Sequence, residues 1–564
     1  MTFLEKMIFF LFQVLLLLLH PSVGVTAGGV IAILGSSVAR GFRCSGNCSD
    51  VPASASNGGI GGCYNAKLKN YQAIHAIHKC KVLNSAINGD DTSRALVRLP
   101  GLLDWIVAES EADVGGSSAD KYLIVGLSLA NQGYNGVTYR SGLEQIITQC
   151  RSANVVPIIG LCYANGYTAD PSRYTLTKQI NLEIQQWQVP SINFLGSVDD
   201  GLGGWATGYY ADGGHPNDAG QHEMYLSIVP SLVDALSLGK VLPSPRQRGV
   251  AGASRLTLSA TSATAVNSGI YFALSSEETM HSFTISFEIR QSTSTRMATE
   301  VQLLRILVGS NDETRTLSIG SNDERLRYSN GATSSNLLIS DAANVLSTNW
   351  RMISLVHWYA RGVTELYLDG TLATTGVAER LLPTNFTLLV PVGIEYRDLL
   401  IYRAGLNSLE VSHLWSMNSI LFGSLEIYAP LNVEDVTLNV AQSLSKVMLL
   451  GEEEKKIGGA SPPSAGKSSG GSPSPSPSSS NSASSCDSGC DNEKNNKGKD
   501  NEDLILTIIL GFVLVCIVGL SCVFGYLVYE RHQDGRLGTS SRRAVGEIEM
   551  CDNPNMLPKL RPPK

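Results

Sequence analysis

The stretch Val30-Ile-Ala-Ile-Leu-Gly35-Ser36-Ser37 constrains the fold more than any other part of the chain. An apolar run of this length, rich in β-branched residues and stopped by glycine, reads as a strand buried on both faces. Such strands belong to parallel sheets covered by helices. The residues after it suit a helix N-terminus, with Ser36 and Ser37 as capping candidates. A serine on such a turn also lies at the carboxyl edge of the sheet, where open α/β folds hold their ligands. Ser37 is therefore a candidate nucleophile, and plain helix capping is the alternative that this stretch leaves open.

The same texture continues to about residue 238. Strands are predicted at Val30–Leu34, Lys81–Asn84, Tyr122–Leu127, Val155–Leu161 and Ile192–Leu195. Helices are predicted at Tyr64–His78, Arg94–Ala108, Ser141–Ala153, Leu176–Gln186 and Ala219–Leu236. Strand and helix in alternation argue for βαβ units, hence an α/β three-layer sandwich with a parallel sheet over residues 28–240. Right-handed crossovers put the strand ends on one edge, and Ser37, Gly89 and Asn131 each follow such an end.

After a linker at 241–250 the pattern changes. Residues 251–450 carry short strands between turn signals, at Ser282–Ile289, Val301–Val308, Thr316–Ile319, Met352–His357, Thr364–Leu368 and Leu399–Tyr402. Ser-Asn-Asp-Glu recurs at 310 and 321 around one of them, and Asp369-Gly370 reads as a hairpin turn. These features argue for an all-β sandwich, although Val433–Leu450 takes no clear assignment. The segment 451–503 is dominated by Ser, Pro, Gly and Asn. It has too few large apolar side chains to offset its ordering entropy and reads as a disordered stalk.

At 564 residues the chain exceeds a single core. Its formal charge of −7 and the lack of a Lys/Arg-dense block argue against nucleic acid as a partner. Lys6, the apolar block Met7–Leu19 and the small residues Ser22, Gly24 and Ala27 form a signal-peptide layout over 1–27, cleavable after Gly24 or Ala27. Leu504–Val528 carries no charge and is long enough to span a bilayer as a transmembrane helix. Arg536, Arg542 and Arg543 beyond it favour a cytoplasmic tail at 529–564. The expected topology is a single-pass type I membrane protein with extracellular or lumenal domains. Cys44, Cys48, Cys63, Cys80, Cys150 and Cys162 then face an oxidising compartment, and up to three disulfides are expected, their connectivity open. Zinc is the competing reading, but Cys44 and Cys48 lack a second close pair or a His at ligand spacing. Sequons at Asn47 and Asn385 agree with secretion.

Four places in the first domain carry candidate chemistry. They are Gly35-Ser36-Ser37, the turn Asn84-Ser-Ala-Ile-Asn-Gly89-Asp-Asp-Thr92, the loop Gly126-Leu-Ser-Leu-Ala-Asn131-Gln-Gly133, and Tyr210-Ala-Asp212-Gly-Gly-His215-Pro-Asn-Asp-Ala-Gly220. In this order they resemble the blocks of the SGNH (GDSL) hydrolase family of esterases and lipases, over most of residues 29–238. The resemblance implies Ser37 as nucleophile, His215 as base and Asp212 as the group that orients the imidazole. It also implies an oxyanion hole from Ser37 N–H, Gly89 N–H and the Asn131 amide. A serine hydroxyl is a weak nucleophile without a base in reach, so the chemistry needs the whole set. Two positions depart from the family pattern: Gly-Ser-Ser replaces Gly-Asp-Ser, and Leu129-Ala-Asn-Gln132 replaces Gly-x-Asn-Asp. Taken singly, Gly89 also reads as a turn glycine, Asn131 as a loop residue and His215-Pro216 as the start of a capped helix. His222 should lie inside the last helix.

The second domain resembles the laminin-G/concanavalin A-like jelly rolls at Thr284-Ile-Ser-Phe-Glu-Ile289, Trp350-Arg-Met-Ile-Ser-Leu-Val-His357, Glu365-Leu-Tyr-Leu-Asp-Gly370 and Asp398-Leu-Leu-Ile-Tyr-Arg-Ala404. That resemblance implies a glycan ligand, in some members held through Ca²⁺. No Asp/Asn cluster here has calcium-ligand spacing, and a purely structural sandwich is the alternative. The expected activity is carboxylic-ester hydrolysis through an acyl-enzyme, with no cofactor and no metal. Its substrate would be an acylated glycan, a lipid or a small acyl ester at the cell surface. The alternative of a different class is a catalytically silent glycan-binding or adhesion receptor.

Overall fold

The computed structural model describes residues 29–42, 81–112, 120–166, 170–246, 269–273, 280–292, 299–309, 313–331, 335–377, 379–431 and 436–449. The chain divides into two compact units, Met1–Pro463 and Ser464–Lys564, and every described residue lies in the first. The signal-peptide segment, the predicted helix Tyr64–His78, the stalk, the span Leu504–Val528 and the tail lie outside the described residues. Among the described residues no helix is long and apolar enough to cross a membrane.

Five parallel strands form the first sheet: β1 (Val30–Gly35), β2 (Lys81–Asn84), β3 (Lys121–Gly126), β4 (Val156–Gly160) and β5 (Ser191–Ile192), in the order β2-β1-β3-β4-β5. The helices around it are α1 (Ser37–Arg40), α2 (Thr92–Ala112), α3 (Gly136–Ser152), α4 (Pro171–Ile184), α5 (Leu195–Val198), α6 (Asp218–Leu226) and α7 (Leu232–Ser237). Every residue of β1 is buried, as a two-sided apolar run requires. Alternation sends Val30, Ala32 and Leu34 into one core with residues of α2 and α3, and Ile31 and Ile33 into another with residues of α6 and α7. Because β1 pairs with β2 on one side and β3 on the other, the strand order reverses between β1 and β3. The crevice beyond those two strand ends is where such sheets bind ligands.

Three expectations are corrected. The single helix Ala219–Leu236 is two helices, α6 and α7, because Pro230 stands between them without an N–H to continue the ladder. The fifth strand shrinks to two residues, since Asn193 Oδ1 accepts the Gly196 N–H at 3.0 Å and turns the chain into α5. Cys150 and Cys162 are unpaired and buried, so they leave the expected disulfide set. Burial pushes their thiols up to about 12 and about 11, respectively. The other four cysteines of that set lie outside the described residues.

The described residues between 269 and 449 form two antiparallel sheets, of seven and six strands. Lys446–Leu449, within the unassigned stretch Val433–Leu450, pairs with Gly269–Ala273 at one edge of the larger sheet. Asp369 and Gly370, at φ 51° and 75°, make the expected hairpin turn. In the strand Phe283–Gln291, alternate residues Phe283, Ile285, Phe287 and Ile289 fill the core between the sheets. The opposite face of this strand is also sealed, with Thr284, Ser286 and Glu288 fully buried. Its sheet packs there on helix α8 (Ser408–Ser416) and on Leu182 of α4. The polar groups on that face are paired: Glu288 with Arg397 at 2.6 Å, and Ser286 with Ser354 at 2.9 Å.

Hydrogen bonds cross the seam between the parallel and antiparallel halves. Gln185 and Asn193 donate to Glu410 at 2.6 and 3.2 Å, and Gly405 N donates to the Gly196 carbonyl at 2.9 Å. Arg246, within the segment read as a linker, is buried and donates from its backbone N to Asn418 O at 2.8 Å. Its guanidinium also reaches the carbonyls of Leu414 and Met417.

Candidate active site

The nucleophile turn follows from close packing at the end of β1. A Cβ at Gly35 would lie 2.5 Å from Ala39 Cβ and 2.7 Å from the Gly126 carbonyl oxygen, so only glycine lets α1 fold back over the sheet. Ser36 occupies the N-cap position of α1 without a side-chain capping bond. Its hydroxyl, fully buried, instead lies 3.1 Å from Tyr163 OH. Ser37 opens the helix, and its Oγ lies 3.0 Å from His215 Nε2. Helix capping therefore explains neither hydroxyl.

His215 comes from a two-stranded hairpin, β6 (Tyr210–Asp212) and β7 (His215–Pro216). Its Nδ1 meets Asp212 Oδ1 at 2.7 Å. With Asp212 accepting the Nδ1 proton, Nε2 is the acceptor that faces the Ser37 hydroxyl. Phe42 packs on the imidazole in an edge-type arrangement, with centroids 4.9 Å apart. The helix that follows is capped by Asn217, which accepts Gly220 N–H at 3.0 Å, so His215 has no capping role. His222 lies in α6 as expected and stacks on Tyr225.

Gly89 sits in the turn after β2 with φ +78°, a conformation natural to glycine. That turn is tied to the nucleophile turn, because Asn84 Nδ2 donates to Ala39 O at 2.9 Å and Ile87 N donates to Gly35 O at 3.0 Å. Asn131 comes from the loop after β3, and its Nδ2 donates to the carbonyl of Asp90, beside Gly89, at 2.9 Å. One amide proton thus fixes the side chain and the second remains to donate. Among the described residues the N–H groups of Ser37 and Gly89 have no acceptor.

The two departures from the family pattern have local explanations. At the first, Ser36 is matched by a buried tyrosine hydroxyl, which burial pushes up and hydrogen bonds with Ser36 and Ser128 pull down. At the second, Gln132 Oε1 accepts from Thr92 N at 3.0 Å and Thr92 Oγ1 at 2.7 Å, clamping the start of α2 to the Asn131 loop. Asp90, next to Gly89, is held by Arg98, which also donates to Ser85 O at 2.8 Å. Sequence reasoning did not single out Tyr163, Trp205, Phe42 or Arg98. Tyr163 follows the end of β4, so the rule that flagged Ser37 and Asn131 could also have flagged it. Among the described residues no group of three or more His, Cys, Asp or Glu side chains is arranged to hold a metal ion.

No family model and no curated protein matches the chain. Among solved structures it is similar to a putative carbohydrate-binding protein from Bacteroides ovatus, at 12% identity and TM-score 0.26, over 36% of this chain and 59% of that one. It is similar to the native heptameric SAP-like pentraxin from Limulus polyphemus, at 12% identity and TM-score 0.25, over 35% of this chain and 94% of that one. It is also similar to TesA, at 18% identity and TM-score 0.26, over 35% of this chain and 93% of that one.

Proposed function

We propose that the protein is a serine esterase of the SGNH type, with residues 28–240 as its hydrolase domain. The observation that carries this reading is the continuous set Ser37 Oγ–His215 Nε2 at 3.0 Å and His215 Nδ1–Asp212 Oδ1 at 2.7 Å. Ser37 Oγ attacks the ester carbonyl carbon and its proton passes to His215 Nε2. The oxygen that gains charge is held by the N–H groups of Ser37 and Gly89 and the second amide proton of Asn131. As the carbon–oxygen bond to the alcohol breaks, His215 returns the proton to the leaving oxygen. Water then repeats the sequence on the acyl-enzyme, with His215 taking its proton, and Ser37 and a carboxylic acid are released. Asp212 fixes the tautomer and stabilises the imidazolium between steps.

Acylated glycans, lipids and small acyl esters are the proposed substrates, with the sandwich at 251–450 as a glycan-binding candidate. The proposed setting is the extracellular or lumenal side of a membrane, on a single-pass type I chain. The test uses the full chain, purified from an oxidising host, against p-nitrophenyl acetate with and without Ser37→Ala. Turnover confined to the unsubstituted chain is the expected result. Equal rates in the two proteins would leave the receptor reading.

A further inference from the structure

Trp205 is buried against the hairpin of Asp212 and His215, yet the steps above give it no part. Its Nε1–H donates to the Gly213 carbonyl at 3.2 Å. The N–H of the same peptide unit, on Gly214, donates to Asp212 Oδ1 at 2.9 Å. That oxygen is the one His215 Nδ1 meets at 2.7 Å. A single planar peptide therefore connects the indole to the carboxylate that orients the histidine. The indole is itself fixed by Tyr163, stacked on it with centroids 5.8 Å apart.

The weak point of this arrangement is the peptide's own freedom. It lies between two glycines, neither of which has a positive φ in this structure. Turning the plane over rotates ψ of Gly213 and φ of Gly214 in opposite senses and carries Gly214 to positive φ, which costs glycine little. The flipped plane would withdraw the N–H from Asp212 and aim a carbonyl oxygen at the carboxylate. The Trp205 hydrogen bond is made only in the unflipped orientation.

We infer that Trp205 is a positioning residue of the site, its N–H locking the Gly213–Gly214 peptide so that Asp212 stays on His215. The inference rests on the esterase reading of Ser37, Asp212 and His215. In the full chain, Trp205→Phe keeps a buried ring and loses the donor. The expected result with p-nitrophenyl acetate is a fall in kcat of about fivefold to tenfold with KM within about twofold, the effect of one hydrogen bond. The benzothiophene isostere of tryptophan at position 205 preserves shape as well and should behave alike. Adding Gly214→Ala to Trp205→Phe should recover most of the loss, because alanine resists positive φ. A Cβ there meets only Asn165 Oδ1 at 3.5 Å and Asp212 Oδ1 at 3.6 Å, ordinary contacts. An unchanged kcat in both Trp205 variants, or a loss that Gly214→Ala does not relieve, overturns the inference.

A second readout needs no turnover. The downfield proton resonance of His215 Nδ1–H, assigned by its absence in His215→Gln, should broaden or vanish in Trp205→Phe. An unchanged resonance also overturns the inference. Equal hydrolysis by the wild-type chain and Ser37→Ala would instead defeat the esterase reading, and the resonance would still decide the role of Trp205.

Discussion

The hydroxyls of Ser36 and Tyr163 lie 3.1 Å apart in a site where neither reaches water. Ser36 directly precedes the proposed nucleophile, so this pair anchors the turn from which Ser37 is presented. Tyr163→Phe keeps the ring that stacks on Trp205 and removes the only polar atom of the tyrosine side chain. The buried Ser36 hydroxyl then loses its partner, at a cost of about 1–3 kcal/mol. Thermal melting should record a loss of a few degrees, and kcat should fall several-fold with little change in KM. A variant as stable and as active as the wild type would show that the pair anchors nothing.

The alternation of strands and helices, and the order of the four blocks, were readable because each depends on residues close in sequence. Gly35 stops the first strand, Asn131 follows the end of the third, and Asp212 and His215 are three residues apart. The partners of Tyr163, Trp205 and Gln132 were not readable in the same way. Ser36 and Tyr163 are 127 positions apart, and Gln132 finds Thr92 40 positions away. Such pairs exist only once the sheet has brought separate loops to one edge. The outer face of the six-stranded sheet was hidden for a related reason. Alternation puts Thr284, Ser286 and Glu288 on the face opposite the core, and their burial comes from α8 and the parallel half packing over them. Helix α8 itself carries a capping box, Asn407 with Glu410, a local signal that a strand-dominated reading of this half overlooked.

Gln132→Ala tests whether the clamp between the Asn131 loop and α2 matters to the site. The Thr92 N–H and hydroxyl would both lose their acceptor, costing about 1–3 kcal/mol by melting or denaturant titration. Asn131 keeps its own bond to Asp90 O, so the kcat loss should be smaller than for Asn131→Ala. Removing the Asn131 amide itself should lower kcat by roughly 10²–10³ with KM little changed, as for an oxyanion donor. A loss in Gln132→Ala equal to that of Asn131→Ala would mean that the clamp, not the amide, sets the rate.

Asp212→Asn probes the charge behind His215. The amide preserves shape, and its oxygen keeps the Oδ1 place, because an NH₂ there would face the Gly214 N–H as well as His215 Nδ1. The tautomer is kept, and the charge that stabilises the imidazolium is lost. The expected loss is about tenfold to a hundredfold in kcat at neutral pH with the fold intact, the effect of a hydrogen bond to a charged group. Steady-state kinetics beside circular dichroism would check both halves, and a loss below about tenfold would assign the stabilising role to another group.

The seam between the two halves should respond to pH through Glu410. This carboxyl is buried at the junction, and burial pushes it up to about 7, against the pull of N–H donors from Asn407, Gln185 and Asn193. In the unfolded chain it returns to about 4.5. Between those values the folded protein holds a proton that the unfolded chain has released, so stability from this group is full below about pH 4.5 and is lost as pH rises through about 7. His357 works in the opposite sense. Buried in the sandwich and lowered to about 3, it favours the folded state above about 6.5 and withdraws that contribution as the pH falls. The wild-type curve therefore contains opposing slopes, and a single melting profile would not separate them. Glu410→Gln removes one, because its side chain does not titrate. Calorimetric melting of wild type and variant from pH 5 to 8 should give a difference curve that closes as pH rises, the wild type losing its relative advantage toward neutrality. A difference that stays flat across that range would mean that Glu410 remains ionised in the fold, its charge carried by the four hydrogen bonds from Gln185, Asn193 and Asn407.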